Sequence, residues 1–347
     1  MVKYSCERCG KGFSQKSHYD SHNRRKTPCE NNADKIKALV DKAVEEKLKE
    51  LNNNLIVETD TMEQPKKFRI KKKKLEIIED TIVNNKISNK SPLRYPGGKT
   101  RACKKLDTIL KEHFDISEFN NIVSPFFGGG SFEFHIQNNY QLNIIANDKF
   151  TPLYNFWTTC KLDKENLCKE LTKKLDLVDK QEFTNLRGKI MDENNEINQS
   201  IMYFIINRCS FSGATLSGGF SLEASKKRFT QSSIDRVKNL ELSSFDIYNL
   251  DFEEFINNNN DKSNLIFLDP PYYLKKKSKL YGNNGDMHDT FEHDKLYRCL
   301  SKKTNWFMTY NNCEYIKNLY KDFNIIETNW SYGMNKSKSS SEIVIIG

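Results

Sequence analysis

From residue 91 onward, short apolar runs that are typical of strands alternate with stretches of helical periodicity. The apolar runs cover 121–124, 142–146, 264–268, 306–309 and 343–346. The helical stretches cover 100–113, 151–160, 163–176, 181–192, 196–208 and 294–302. This alternation predicts an α/β fold, in which helices cover both faces of a mostly parallel sheet. Because such sheets bind ligands at the carboxyl ends of their strands, the residues that follow each run are candidates for a site.

The sharpest motif is Asp269-Pro270-Pro271-Tyr272, which directly follows the run 264–268. Two successive prolines continue neither a strand nor a helix interior, so they predict a rigid turn. The Asp269 carboxylate and the Pro270 carbonyl could together accept both N–H bonds of the exocyclic amine of a base. The amine lone pair would then be available to attack an electrophilic methyl group. Tyr272 offers a flat face on which a base can stack.

Two more segments directly follow strand-like runs and are therefore candidates for the same ligand site. The segment 124–131, SPFFGGGS, follows the run 121–124, and its glycines let the backbone come close to a ligand. About twenty residues further on, Asn147 and Asp148 close the next run, where an acidic residue can bind ribose hydroxyls. Upstream, the segment 91–99, SPLRYPGGK, opens a helical stretch.

The four elements LRYPGGK, FFGGGSF, ND and DPPY, in this order, resemble the Dam-type DNA adenine N6-methyltransferases, the class alpha group with a DPPY motif. The resemblance covers roughly residues 91–347 and implies a Rossmann-like sheet that uses S-adenosylmethionine. The cofactor residues that it implies are Tyr95, Lys99, Phe127, Gly128, Gly130, Asp148, Asp251 and Asp269. Residues Asp269, Pro270, Pro271 and Tyr272 would hold the target amine of an adenine rotated out of the duplex.

The resemblance also implies that residues 149–250 form an inserted, helical DNA-recognition region. Within it, the segment 207–220 is similar to the NR-x2-[YF]-N-G segment of the family, with Ser212 where Asn is usual. Arg208 is the predicted phosphate contact, and Phe211 is predicted to stack where the flipped base leaves. The predicted contacts to the DNA backbone are Lys226, Lys227 and Arg228.

Residues 1–30 form a separate module. The spacing of Cys6, Cys9, Phe13, Tyr19 and His22 resembles the ββα zinc finger, whose folding energy comes from the metal. The predicted zinc ligands are Cys6, Cys9, His22 and Cys29. His18 is the alternative to Cys29, which follows His22 after a gap of six residues.

Residues 31–90 are expected to form a helix over 34–51 and then a basic, flexible tether. The chain carries a formal net charge of +9, most of it in the first 90 residues, including a cationic cluster over 65–74. Such a cluster suits phosphate contacts or nuclear import. The expected partner is therefore a nucleic acid, with RNA as well as DNA open.

The nine cysteines are odd in number and mostly scattered, which argues against a disulfide framework. The first residues lack the apolar stretch of a secretory signal, and no run reaches the length of about 18 apolar residues that a membrane span needs. We therefore expect an intracellular protein of the cytoplasm or nucleus, and the architecture suggests a virus-encoded chain.

Three functions remain open from the sequence. The first is methylation of adenine N6 in DNA, and the second is the same chemistry on cytosine N4 or on adenine in RNA. The third is a nucleic-acid-binding protein without catalytic activity. The presence of Lys99, Asp148 and Asp269 favours an active enzyme.

Overall fold

The structure is a computed structural model that describes residues 4–6, 12–24, 88–274, 290–331 and 339–347. The chain divides into two compact units, residues 1–84 and 85–347. The helix predicted over 34–51 and the basic cluster lie outside the described residues.

In the first unit, the described residues form a short hairpin and a helix. Strands β1 (Tyr4–Ser5) and β2 (Gly12–Phe13) pair antiparallel, and helix α1 (Lys16–Asn23) follows them. The Tyr19 ring stacks on Tyr4 at 5.8 Å between centroids, and the Phe13 ring lies 5.0 Å from the ring of His22. The side-chain contacts within this described segment are mainly aromatic, because so short a segment has little apolar surface to bury.

The second unit is built on a seven-stranded sheet. Its strands are β3 (Asn121–Ser124), β4 (Asn143–Asn147), β5 (Phe245–Tyr248), β6 (Asn264–Leu268), β7 (Trp306–Asn311), β8 (Asn324–Ser331) and β9 (Ser339–Ile346). The order across the sheet is β5-β4-β3-β6-β7-β9-β8. The first five strands are parallel, and β9 runs antiparallel to both β7 and β8. The prediction of a mostly parallel α/β sheet is confirmed.

One helix precedes the sheet, and the other helices connect its strands. They are α2 (Cys103–His113), α3 (Ser131–Tyr140), α4 (Thr151–Leu162), α5 (Lys164–Lys173), α6 (Lys180–Lys189), α7 (Glu196–Cys209), α8 (Leu222–Arg228), α9 (Gln231–Lys238), α10 (Phe252–Asn258), α11 (His293–Leu300) and α12 (Glu314–Leu319). Helices α4 to α9 all lie between β4 and β5, so the segment predicted as an insertion is helical.

Apolar residues cover both faces of the sheet. On β3, Ile122 belongs to one hydrophobic cluster and Val123 to another, and on β6 Phe267 and Ile266 divide in the same way. Successive strand residues point to opposite faces, so two buried faces require a continuous apolar run. This requirement explains why β3 and β6 were readable in the sequence.

The order of strands reverses at β3, which has β4 on one side and β6 on the other. A reversal of this kind opens a crevice beyond the carboxyl ends of the two central strands, where ligands bind. The glycine turn follows β3 and the Asp269 turn follows β6, so the topology brings these two motifs to the crevice. Within the described ranges, no helix combines the length and the apolar character that crossing a membrane requires.

Candidate active site

A cavity of about 380 Å³ lies at this crevice. Its wall is formed by the loop around Tyr95 and Lys99, the glycine turn, the end of β4 and the residues after β6. A cavity of this size suits a small molecule or cofactor. All the residues that the sequence predicted for the cofactor line it: Tyr95, Lys99, Phe127, Gly128, Gly130, Asp148, Asp251 and Asp269.

The Asp269 carboxylate is held from two sides. Lys99 Nζ lies 2.5 Å from Asp269 Oδ2 and also donates to the Gly97 carbonyl at 3.0 Å. Thr309 Oγ1, on β7, donates to Asp269 Oδ1 at 2.7 Å. The side chain of Lys99 is only 3% exposed, so the ion pair is largely shielded from water, where charge-assisted bonds are strong. The carboxylate therefore has a fixed orientation at the end of β6.

The ring of Tyr272 is also fixed. It stacks on Tyr310 with 5.7 Å between centroids and 25° between planes. The Lys99 ammonium lies 5.2 Å from the Tyr272 centroid, within the range of a cation–π contact. Pro270 is buried and Pro271 lines the cavity, so the four residues form a rigid corner at its edge.

The glycine turn is shaped by protein contacts. Gly128 has a φ of +50°, and a Cβ there would lie 2.7 Å from the Tyr95 ring. Trp157 Nε1 donates to the Gly128 carbonyl at 3.0 Å. Gly130 also has a positive φ, of +63°, and a Cβ there would meet the Phe127 ring. The sequence suggested that these glycines make room for a ligand, but at both positions the room is filled by an aromatic ring of the chain itself.

The Phe127 side chain points into the core. It is 3% exposed and packs against Trp157 and Phe245, both at 5.2 Å between centroids. Its ring therefore stabilises the glycine turn from the core side, although the residue also borders the cavity.

Asp148 supports the glycine turn from the end of β4. Its carboxylate accepts the Gly128 amide at 2.9 Å and the Phe150 amide at 3.0 Å. Burial raises the pKa of this carboxyl to about 6, while these two amide bonds act in the opposite direction. Asp148 thus connects the position where a ribose would bind to the conformation of the turn.

Asp251 lies at the far side of the cavity and begins α10. It forms ion pairs with Lys149 and Lys295, each at 3.1 Å. Beside it, the rings of Phe126, Phe252 and Phe291 pack on one another at 5.5 to 5.7 Å and line the cavity. This end of the cavity is aromatic with an acidic edge, which suits a purine.

Two further residues at the cavity, Glu133 and Thr309, were not predicted from the sequence. Glu133 stands among aromatic residues in α3, and a charge inside an apolar stretch is the signal that could have revealed it. Thr309 lies inside the apolar run of β7 and gives no such signal, because threonine is common in strands.

The predicted DNA contacts differ in their exposure. Phe211 is 69% exposed, Lys226 and Lys227 are exposed, and Arg228 is half-buried. These four residues are accessible to a partner in the part of the chain that the structure describes.

Arg208 is only 7% exposed, although the sequence predicted a phosphate contact. Its Nε donates to the Arg228 carbonyl at 2.8 Å and its Nη1 to the Pro92 carbonyl at 3.2 Å. Burial lowers the pKa of this guanidinium to about 10. Because α7 ends inside the unit, its last arginine joins backbone segments and does not face solvent.

Asn207 connects α7 to the loop that carries Tyr95. Its side-chain amide donates to the Arg94 carbonyl at 2.7 Å and accepts the Arg94 amide at 3.0 Å. Gly213, with a φ of +73°, approaches the same residue so closely that a Cβ would lie 2.7 Å from Arg94 Cβ. The segment that resembles the family's recognition motif thus contacts the cofactor loop directly.

For the predicted zinc site, the structure describes two of the four ligands. Cys6 and His22 are both buried in the first unit. Cys9 and Cys29 lie outside the described residues. Among the residues that are described, no three potential ligands cluster into a metal site.

A parallel sheet with a strand-end cavity, a glycine turn and an Asp-Pro-Pro-Tyr corner defines a nucleic-acid amino-methyltransferase. The family model for D12 class N6 adenine-specific DNA methyltransferases matches residues 95–334, more than half of the chain, so the chain belongs to this family. It is therefore a site-specific DNA adenine methyltransferase, for which S-adenosylmethionine is the expected methyl donor. No curated protein matches the chain.

Proposed function

We propose that this protein methylates adenine N6 in DNA in the manner of the Dam-type group, on a flipped base held at the Asp269–Tyr272 corner. The observation that carries this proposal is the ion pair between Lys99 and Asp269 at the edge of the cavity. It joins the predicted cofactor loop to the predicted catalytic corner, so donor and acceptor would meet at one point.

The cavity suits S-adenosylmethionine, which is a cation with a purine at one end. Its lining carries more carboxylates than lysines, namely Glu133, Asp148, Asp251, Asp269 and Glu292 against Lys99 and Lys149. The aromatic end formed by Phe126, Phe252 and Phe291 would hold the adenine, with Asp251 at its edge. Asp148 would bind the ribose, and Tyr95 and Lys99 would hold the methionine end.

When bound, S-adenosylmethionine supplies an electrophilic methyl group, whose bond to sulfur breaks with its electron pair remaining on sulfur. Asp269 and the Pro270 carbonyl accept the two N–H bonds of the target amine, which frees the nitrogen lone pair for attack. Both Asp269 oxygens already accept one bond each, and each has a second lone pair for the substrate. Tyr272 stacks on the base, and the methylated amine then loses one proton to the Asp269 carboxylate, which passes it to solvent.

The helices between β4 and β5 form the proposed DNA-recognition region. Phe211 is the exposed aromatic residue proposed to fill the space that the flipped base leaves. Lys226, Lys227 and Arg228 lie together at the end of α8 and are proposed to contact backbone phosphates. The burial of Arg208 supports a different role for that residue, which is to hold α8 and the loop at Pro92 in place.

One experiment tests the proposal. The full chain is incubated with labelled S-adenosylmethionine and duplex DNA, single-stranded DNA or RNA, and the products are digested to identify the methylated nucleoside. N6-methyldeoxyadenosine from duplex DNA is expected, and Asp269→Ala should lose this product. Full turnover by Asp269→Ala would exclude the proposed role of the corner.

The same assay distinguishes the alternative functions. A product of N4-methylcytosine would show that the substrate is cytosine. A product of methyladenosine from RNA alone would show that the substrate is adenine in RNA. Binding of nucleic acid without any methylated product would make the chain a binding protein.

We also propose that the first unit binds zinc through Cys6, Cys9, His22 and Cys29. The hairpin followed by a helix, with Cys6 and His22 buried, supports this ligand set. The exposure of His18 favours Cys29 over His18 as the fourth ligand.

Metal analysis of the purified full chain tests this zinc site. One equivalent of zinc is expected for the wild type and for His18→Ala, and a large loss for His22→Ala and Cys29→Ala. A metal-free wild type would refute the site. If His18→Ala lost zinc and Cys29→Ala kept it, His18 would be the fourth ligand in place of Cys29.

We further propose a reducing, intracellular location in the cytoplasm or nucleus for this chain, as a virus-encoded protein. The six described cysteines of the second unit are free thiols, which supports a compartment where disulfides do not form. Microscopy of the tagged chain in host cells would test it, and secretion into the medium would contradict it.

A further inference from the structure

Glu133 is a buried carboxylate in the wall of the cavity. It lies in the first turn of α3, directly after the glycine turn, and is only 2% exposed. Burial raises the pKa of this carboxyl to about 7. A group of this kind is costly to bury without a partner, so its presence at the cavity wall needs an explanation.

The other two carboxylates at this part of the cavity already have partners for both oxygens. Asp148 accepts two backbone amides, one on each oxygen. Asp269 accepts Thr309 on one oxygen and Lys99 on the other. Their hydrogen bonds hold the turn and the catalytic corner in place.

Glu133 differs in this respect. Its Oε1 accepts the Ser124 hydroxyl at 2.6 Å. Besides Ser124, the donor to this carboxylate is the backbone N–H of Glu133 itself. Among the described residues, no other residue donates to Oε2, and Oε2 is not one of the fully enclosed polar atoms that lack a partner. Oε2 is therefore a carboxylate oxygen that receives no hydrogen bond from a neighbouring residue and that a ligand in the cavity can bind.

The charge around Glu133 indicates which ligand group fits. Lys99 is the nearest cation, but its ammonium is already bound to Asp269 and the Gly97 carbonyl. A second cation must come from the ligand. The methionine end of S-adenosylmethionine carries an α-ammonium group with three N–H donors, and Lys99 and Tyr95 border the same part of the cavity.

We propose that Glu133 binds the α-ammonium group of the cofactor through Oε2, while Ser124 fixes the carboxylate through Oε1. Lys99 and Glu133 together then present one positive and one negative side chain to the zwitterionic methionine end. This inference rests on the proposed cofactor site, and it adds a residue that determines affinity and selectivity for the donor.

The experiment measures binding by calorimetry on the full chain, without turnover. The probes are S-adenosylmethionine and its analogue with hydrogen in place of the α-ammonium group. For Glu133→Gln, which keeps the bond from Ser124, affinity for S-adenosylmethionine should fall about 10- to 100-fold, as expected for a lost charge-assisted bond. The analogue should bind the variant and the wild type equally.

Glu342→Gln is the matched control. Glu342 is as buried as Glu133 but lies on β9 and does not line the cavity, so its loss of charge should leave both affinities unchanged. The wild type alone gives a second measurement that does not depend on the folding of a variant. It should bind the analogue more weakly than S-adenosylmethionine by the factor seen for Glu133→Gln.

Three results would overturn the inference. Equal affinity of Glu133→Gln and the wild type for S-adenosylmethionine would exclude the contact. An equal loss for both ligands would make Glu133 a residue that shapes the cavity. If the wild type bound both ligands with equal affinity, the α-ammonium group would not contribute to recognition of the cofactor. A wild type that binds neither ligand would instead refute the proposed cofactor site itself.

Discussion

Thr309→Val tests whether the orientation of Asp269 limits catalysis. Thr309 is fully buried on β7, and valine has nearly the same shape, so the change removes the 2.7 Å bond to Asp269 Oδ1 and little packing. A hydrogen bond to a charged group contributes about 1.5 to 3 kcal/mol. If that energy holds the carboxylate in its reactive orientation, kcat should fall about 10- to 100-fold, since 1.36 kcal/mol corresponds to about a factor of ten.

The assay is single-turnover methylation of duplex DNA at saturating S-adenosylmethionine, with cofactor affinity measured separately and expected to stay unchanged. Thr309→Ser keeps the hydroxyl and should retain most of the rate. Thr328→Val is the control, because the Thr328 hydroxyl is buried without a partner among the described residues and its removal should leave kcat unchanged. A wild-type rate for Thr309→Val would refute the reasoning, and an equal loss in Thr309→Ser would assign the effect to packing.

Other predictions concern stability and DNA binding. The pKa of Glu133 is raised from 4.5 to about 7 in the folded state, so its contribution to stability is present below pH 4.5 and lost as the pH rises through 7. Glu133→Gln should match the wild type near pH 4 and exceed it by up to about 3 kcal/mol above pH 7 in urea unfolding. Arg208→Ala should lower the free energy of unfolding by about 2 kcal/mol or more, through two lost bonds and a lost buried side chain; unchanged stability would mean that these bonds contribute nothing. Lys226→Ala should keep the melting temperature and reduce the salt slope of DNA binding by about one unit, whereas an unaltered slope would exclude a phosphate contact. Phe211→Ala should weaken DNA binding with no loss of stability, and a large drop in melting temperature would contradict its exposed position.

The central part of the fold could be predicted from the sequence. Strands β3 and β6 are buried on both faces, so each appears as an uninterrupted apolar run followed by its motif. Strands β5 and β8 were missed because they lie at the two edges of the sheet. Several of their residues are exposed or half-buried, so their apolar pattern is weak.

The site was predictable where the local sequence restricts the backbone, as the two prolines after Asp269 do. It was not predictable where the role depends on a distant neighbour. Glu133 and Thr309 acquire their roles from Ser124 and Asp269, which only the folded sheet brings to them. The burial of Arg208 likewise follows from the way α7 ends against the backbone of other segments, which its own sequence does not reveal.

The double hydrogen bond between Asn207 and Arg94 joins the buried end of α7 to the loop that carries Tyr95. If the exposed Phe211 just beyond α7 contacts the duplex as proposed, these bonds connect the DNA-binding segment to the loop proposed to hold the methyl donor. Any strengthening of donor affinity by DNA must be matched by an equal strengthening of DNA affinity by the donor, because the coupling free energy is shared. Asn207→Ala is then expected to weaken the effect that each ligand has on the affinity for the other.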